Sequence, residues 1–361
     1  MKEGRQLNAL VAELQRQMDT KEDVIARQDV LDMRILPAPA PDGIASPALY
    51  IPRHTDEPMP IRPHAHGQFA QRLGIPKIYY DRMMREQPDL LARNVNTWFK
   101  ADGSAPTRRM IRTLDGNVRA FLSDRYQRIE NFEIAQLALA ELAEIPDMRV
   151  VSCEVTELRL YIKAIFPRVK GEVAVGDVVE AGVMIRNSEV GVCAADVTPF
   201  ANRLVCKNGM VMPDARFRAY HIGGKAPDGE DAYILADDTR AAEDKAVLLK
   251  LRDYIRAATD EKQFASRIEK MQATMGRKIT GDPVEAVQVL ANAKGLIEGE
   301  RAAVMRHLIE GGDLSQWGLL NAVTRSAADI ASYDRATDLE TIGGEMIDMS
   351  PSEWRMIAEA A

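Results

Sequence analysis

Six arginines, Arg108, Arg109, Arg112, Arg119, Arg125 and Arg128, fall between residues 108 and 128, where Asp115 and Asp124 are the only acidic residues and Phe121 and Tyr126 are interleaved. Guanidinium forks hold phosphate oxygens in pairs and stack on bases, and aromatic faces accept unstacked bases. The combination is the chemistry of single-stranded nucleic acid. A second basic set follows at Arg186-Asn187-Ser188-Glu189, Asn202-Arg203 and Lys207-Asn208-Gly209. Arg108, Arg109, Arg112, Arg119, Arg125, Tyr126, Arg128, Arg186, Arg203 and Lys207 are therefore the expected nucleic-acid-binding residues. Strand alternation qualifies this, because Arg108 and Arg112 point to one face of a strand and Arg109 to the other.

Other chemistry is harder to assemble. His64 and His66 form H-x-H, but on a helix a spacing of two turns the rings about 200° apart, whereas a helical metal pair needs three or four. His54, His221 and His307 are isolated, and no histidine lies near Cys193 or Cys206 to make a nucleophile pair. Gly223-Gly224-Lys225 is neither a P-loop nor a dinucleotide-binding fingerprint. We expect no catalytic centre, no metal and no cofactor.

The elements that must carry these residues change period along the chain. Apolar residues at helical spacing from Leu7 to Met18 predict an amphipathic helix with a short extension over residues 1–35. Eight prolines between residues 36 and 63 predict a linker or extended arm over 36–62. Helical character returns from residue 63, interrupted at Gly74-Ile75-Pro76. Two apolar alternating runs flank Asp115-Gly116-Asn117, a strong hairpin signal that places the arginines on paired strands. A helix over ENFEIAQLALAEL and further β-rich runs complete an expected α+β core of residues 63–228, built on a mostly antiparallel sheet. Residues 229–361 read as an acidic helical region, with an apolar stripe of Val247, Leu248, Leu251, Tyr254 and Ile255 on its first long helix.

The 361 residues carry a net charge of −7, unevenly spread. Lys and Arg against Asp and Glu number 13 against 13 in residues 1–99, 18 against 16 in 100–225 and 16 against 25 in 226–361, so the whole acidic excess sits in the last third. Phosphate binding, which needs local positive potential, is thus not excluded for the middle of the chain. Three cysteines without a C-x-x-C pair, and no long apolar run, predict a cytoplasmic protein with no membrane contact.

HAHGQFAQRLGIPKIYYDRM, RAFLSDRYQRIEN, GVMIRNSEVG with RLVCKNGMV, and WGLLNAVTRSAADIASYDRATDLE together resemble the phage- and plasmid-borne family catalogued as domain of unknown function 932, from about residue 60 to the end. The resemblance implies a role in mobile-element replication, recombination or conflict with the host. The sheet-plus-helix middle is also similar in fold to ring-forming single-strand annealing proteins. The expected function is single-stranded DNA binding and annealing by a homo-oligomeric ring. The alternative is a protein whose acidic C-terminal helices bind and modulate a host or phage defence or replication protein.

Overall fold

A computed structural model describes residues 1–37, 46–101, 107–206, 208–212, 217–219 and 237–361. In chain order, α1 (Leu7–Thr20) leads directly into β1 (Lys21–Arg27), followed by β2 (Asp32–Leu36), β3 (Ser46–Tyr50) and β4 (Met59–Pro60). Three helices follow, α2 (Pro63–Arg72), α3 (Lys77–Glu86) and α4 (Pro88–Lys100), then the hairpin β5 (Arg108–Leu114) and β6 (Asn117–Ser123) and helix α5 (Asn131–Ala143). The strands β7 (Arg149–Val155), β8 (Leu160–Ala174), β9 (Asp177–Asn187), β10 (Ala195–Arg203), β11 (Asn208–Val211) and β12 (Phe217–Ala219) come next. The C-terminal helices are α6 (Asp237–Ala257), α7 (Glu261–Met275), α8 (Pro283–Lys294), α9 (Glu298–Gly311), α10 (Gln316–Ser326), α11 (Tyr333–Ile347) and α12 (Pro351–Ala358). The fold is α+β, and every described strand pairing is antiparallel.

Three sheets form, in the orders β1-β5-β6, β2-β3-β4 and β11-β10-β9-β8-β7, with β12 also paired to β10. The Asp115-Gly116 turn joins β5 to β6 with φ of 53° and 71°. Two successive positive values are the mirror-image turn that matches strand twist, and glycine takes its second position without strain. Leu49, Phe69, Tyr80, Leu91, Phe99, Ile111 and Phe121 form a core shared by the β1-β5-β6 and β2-β3-β4 sheets and helices α2 to α4. A larger core runs from Leu10 and Leu14 of α1 through α5 and the six-stranded sheet to Leu290, Leu320 and Leu339. Tyr161, Ile165, Met184, Phe200 and Val211 fill the opposite face of that sheet with Tyr333. Both faces are thereby covered, which is why nearly every residue of β9 and β10 is buried, their polar side chains included.

Tertiary pairing alters three sequence expectations. The N-terminal extension is a strand: β1 pairs along all of β5, and Ala26 enters the smaller core. Among its described residues the proline-rich segment supplies strands β3 and β4, with Ala48, Leu49 and Ile51 buried and Pro60 on the short edge strand β4, where a missing N–H is tolerated. The acidic C-terminal helices share the larger core with the sheet. In α11, Gly344 lets the helix approach β11 so closely that a Cβ there would sit 1.7 Å from the Val211 carbonyl oxygen.

Candidate functional site

The arginine hairpin divides by face, and the division sorts structural from available guanidiniums. Arg112 has 0% of its surface exposed. Its Nε donates to Asp23 Oδ1 at 2.8 Å, Nη1 to the Glu189 carbonyl at 3.0 Å and Nη2 to Glu130 Oε1 at 2.7 Å. The register between β5 and β6 slips by one, since Arg112 faces Ala120 while Thr113 faces Val118. Arg119 is the extra residue of this bulge. A bulge re-aims a side chain, and here Arg119 reaches Glu189 Oε2 at 2.6 Å.

Glu189 completes the cluster by accepting the Asn131 backbone N–H at 2.7 Å, and Lys21 Nζ lies 2.5 Å from Glu130 Oε2. Burial disfavours the Glu189 carboxylate, but the Arg119, Arg112 and Lys21 charges and a hydrogen bond from Glu130 outweigh it and lower its pKa. Burial and the Glu189 charge push Glu130 the other way. The two carboxylates are thereby shifted in opposite directions.

Arg186 binds Asp196 across β9 and β10, at 3.0 and 2.6 Å, and Arg203 binds Asp177 through two hydrogen bonds of 2.6 and 2.8 Å. Asp177 also accepts the Trp317 indole N–H at 3.0 Å. Arg112, Arg119, Arg186 and Arg203 therefore tie strands together and do not present their forks outward, contrary to the expectation that they face a ligand. Unpaired, a buried guanidinium would be far costlier than these pairs. Tyr126 donates to the Ser188 carbonyl at 2.8 Å and is likewise a strut. Lys207, with His221 and Gly223-Gly224-Lys225, lies outside the described residues.

Arg108, Arg125 and Arg128 are exposed, the last with Asp23 at 3.5 Å, and Arg109 donates to Gln28 Oε1 at 2.8 Å above the Phe121 ring. Arg108 and Arg109 occupy the open end of the β1-β5-β6 sheet, whereas Arg128 stands by Asp23, four pairs along β1 from Arg27. Arg27 stands opposite Arg108 in the β1–β5 register, and Arg109 faces Ser123, two residues before Arg125. From α2, Arg72 donates to the Phe121 carbonyl at 3.0 Å. Burial and the Arg109 charge lower the Arg72 pKa, and no carboxylate among the described residues pairs with it. Trp98, 48% exposed, stands on the last turn of α4, where its neighbour Phe99 packs against Phe121. Sequence reading missed Arg27, Arg72 and Trp98 because their membership depends on strand pairing and helix packing that no local pattern reveals.

His64 and His66 diverge as the helical spacing requires, to the Val190 carbonyl at 3.1 Å and the Tyr80 hydroxyl at 2.8 Å. Burial raises the Cys153 and Cys193 thiols to about 11, well away from reactive thiolates. Among the described residues no group of His, Cys, Asp and Glu has the arrangement of a metal site, and no helix is long and apolar enough to cross a membrane. A cleft of about 250 Å³ opens beside Arg119 and Glu189, between α1, the β5–β6 turn and the Thr156–Leu158 turn.

Comparison with known families decides the wider relationship: the family described as Domain of unknown function (DUF932) matches residues 120–338. The chain belongs to this family. The DUF932 match begins in β6 and ends in α11, so it covers Arg125, Arg128, the Glu130–Glu189 pair and the six-stranded sheet. It leaves Arg27, Arg72, Trp98 and Arg108 on the N-terminal side. No curated protein and no solved structure matched the chain.

Proposed function

We propose that this protein binds single-stranded DNA across the open end of the β1-β5-β6 sheet, and that it anneals complementary strands as a homo-oligomer. The observation that carries the reading is the direct cross-strand pairing of Arg27 with Arg108. Like charges placed directly opposite one another on a sheet are destabilising, and a fold gains nothing structurally from such a pair. A polyanion offsets that repulsion.

Arg125 adds a further exposed guanidinium, and Trp98 offers an exposed indole face on which a base can stack, worth about 1–3 kcal/mol per base in such sites. Four other arginines of the two basic sets, Arg112, Arg119, Arg186 and Arg203, are already paired with carboxylates, which confines the proposed binding to this one end. The acidic surplus of residues 226–361 repels phosphate and favours an oriented encounter.

Fluorescence anisotropy with a labelled oligothymidine tests the binding. The parent protein is expected to bind at about 50 mM salt, and the triple variant Arg72→Gln, Arg108→Gln, Arg125→Gln to bind weakly, with the log–log salt slope reduced by about 0.7 for each phosphate no longer neutralised. No binding by the parent at that salt sinks the proposal, as does a triple variant indistinguishable from the parent. Annealing is read separately, from the rate at which complementary labelled strands pair with and without protein.

A further inference from the structure

Three sheet edges in this fold are closed by groups from other elements. On β6, the Phe121 N–H donates to Gln68 Oε1 at 2.7 Å, its carbonyl accepts from Arg72 Nε at 3.0 Å, and the Val118 carbonyl accepts the Arg62 N–H at 2.9 Å. On β2, the Asn96 side chain bonds both the N–H and the carbonyl of Met33. On β7, the Cys153 carbonyl accepts the Arg5 N–H at 2.8 Å. The outer edge of β1 differs. Its ladder with β5 continues past both ends, from the Gln28 N–H to the Thr107 carbonyl and from the Asp115 N–H to the Thr20 carbonyl, so Glu22, Val24 and Ala26 direct their backbone groups at β5. Asp23 and Ile25 direct theirs outward, where among the described residues these groups have no partner and no element other than β5 lies along the strand. An open edge is a template for another strand, and native folds seldom leave one bare.

We propose that the β1 edge is the contact between two copies of this chain, each β1 pairing antiparallel with the other about a two-fold axis at Ile25. Two-fold pairing repeats every cross-pair, and outward-pointing residues must meet outward-pointing residues, which leaves few registers. One centred on Asp23 sets that carboxylate against itself, one centred on Val24 sets Lys21 against Arg27, and one centred on Ala26 sets Ile25 against Arg27. Centred on Ile25, the pairing sets Asp23 opposite Arg27 in both directions, Ile25 opposite Ile25 and Val24 opposite Ala26. Opposite charges and apolar pairs directly across a sheet are stabilising. Arg27 is 58% exposed, and Asp23 keeps Oδ2 beyond its bond to Arg112, so both can take part. The β1-β5-β6 sheets of the two copies then form one continuous sheet. This inference rests on the homo-oligomer part of the proposed function and names its surface.

Sedimentation equilibrium of the full chain without DNA tests the contact. The parent is expected to dimerise at about 100 µM protein. Arg27→Glu sets a carboxylate opposite Asp23 of the second copy, but opposite Arg108 within its own sheet. It should therefore keep the melting temperature while weakening the dimer by about tenfold or more. Ile25→Cys should give a covalent dimer on mild oxidation, because a hydrogen-bonded antiparallel pair holds its Cα atoms about 5.5 Å apart, within disulfide reach. Glu22→Cys is more exposed but faces Gln28 in this register, and should not. A parent that stays monomeric at that concentration overturns the proposal. So does a dimer that Arg27→Glu leaves intact, or equal crosslinking through Glu22→Cys and Ile25→Cys. Because DNA is absent, a monomeric parent that still binds oligothymidine overturns this contact alone, and a dimeric parent that does not bind overturns the strand-binding reading alone.

Discussion

Arg27 and Arg108 face each other directly across the antiparallel register of β1 and β5, both exposed, and Arg27 shares its charge with Asp29 through hydrogen bonds of 3.0 and 2.6 Å. Cross-strand repulsion of this kind works against the fold. Replacing Arg108 by Gln is therefore expected to leave the melting temperature unchanged or slightly raised while lowering affinity for oligothymidine. Opposite movement of stability and binding is the mark of a residue kept for function. A variant that loses both together assigns Arg108 to the fold.

Arg112 gives the contrary outcome. Its three partners, Asp23, Glu130 and the Glu189 carbonyl, are all held in place by the interior it occupies. Arg112→Met strands the Asp23 and Glu130 carboxylates and is expected to destabilise the protein by about 3–5 kcal/mol, the range for breaking a buried pair. Urea unfolding measures it, and a loss under about 1 kcal/mol contradicts the buried network.

His66 sets a pH dependence. Burial, reinforced by the Lys77 charge, lowers its pKa from 6.5 to about 4. The unfolded chain therefore takes up the proton first, and stability rises with pH wherever it does so. The contribution of His66 is fully present above pH 6.5 and is lost as the pH falls toward 4. Over that window it amounts to about 3 kcal/mol, taking 1.36 kcal/mol per pKa unit. Unfolding of His66→Phe across the same range should show a shallower fall than the parent. The His66 ring resonances should keep their neutral positions at pH 5.5, an outcome a surface histidine cannot give.

Two glycines separate close approach from open space. A Cβ on Gly344 meets the Val211 carbonyl oxygen at 1.7 Å, whereas a Cβ on Gly299, in α9, has nothing within 4 Å. Gly344→Ala forces α11 off β11 and is expected to cost about 1–3 kcal/mol or more. Gly299→Ala is expected to gain up to about 1 kcal/mol from helix propensity alone. Thermal unfolding of the two variants should shift in opposite directions.

Local chemistry was enough to settle the α+β class, the Asp115-Gly116 hairpin, the helix over Asn131–Ala143 and the helix break at Gly74. Each is written in the spacing of apolar residues or in a turn that only certain residues adopt. Sequence also located the family likeness and the arginine concentration at residues 108–128. It did not decide which arginines are available, because one register slip at Arg119 and the depth of Glu189 determine that, and both belong to pairings between strands distant in sequence. Arg108 and Arg112 have the same type and share a face of β5, yet one lies at the sheet's open end and the other beneath the Asn187–Val190 segment. Burial is a property of the assembled layers. So tertiary packing alone turned Arg112, Arg119, Arg186 and Arg203 into struts, set Arg27 opposite Arg108 and laid Arg72 against β6 at Phe121.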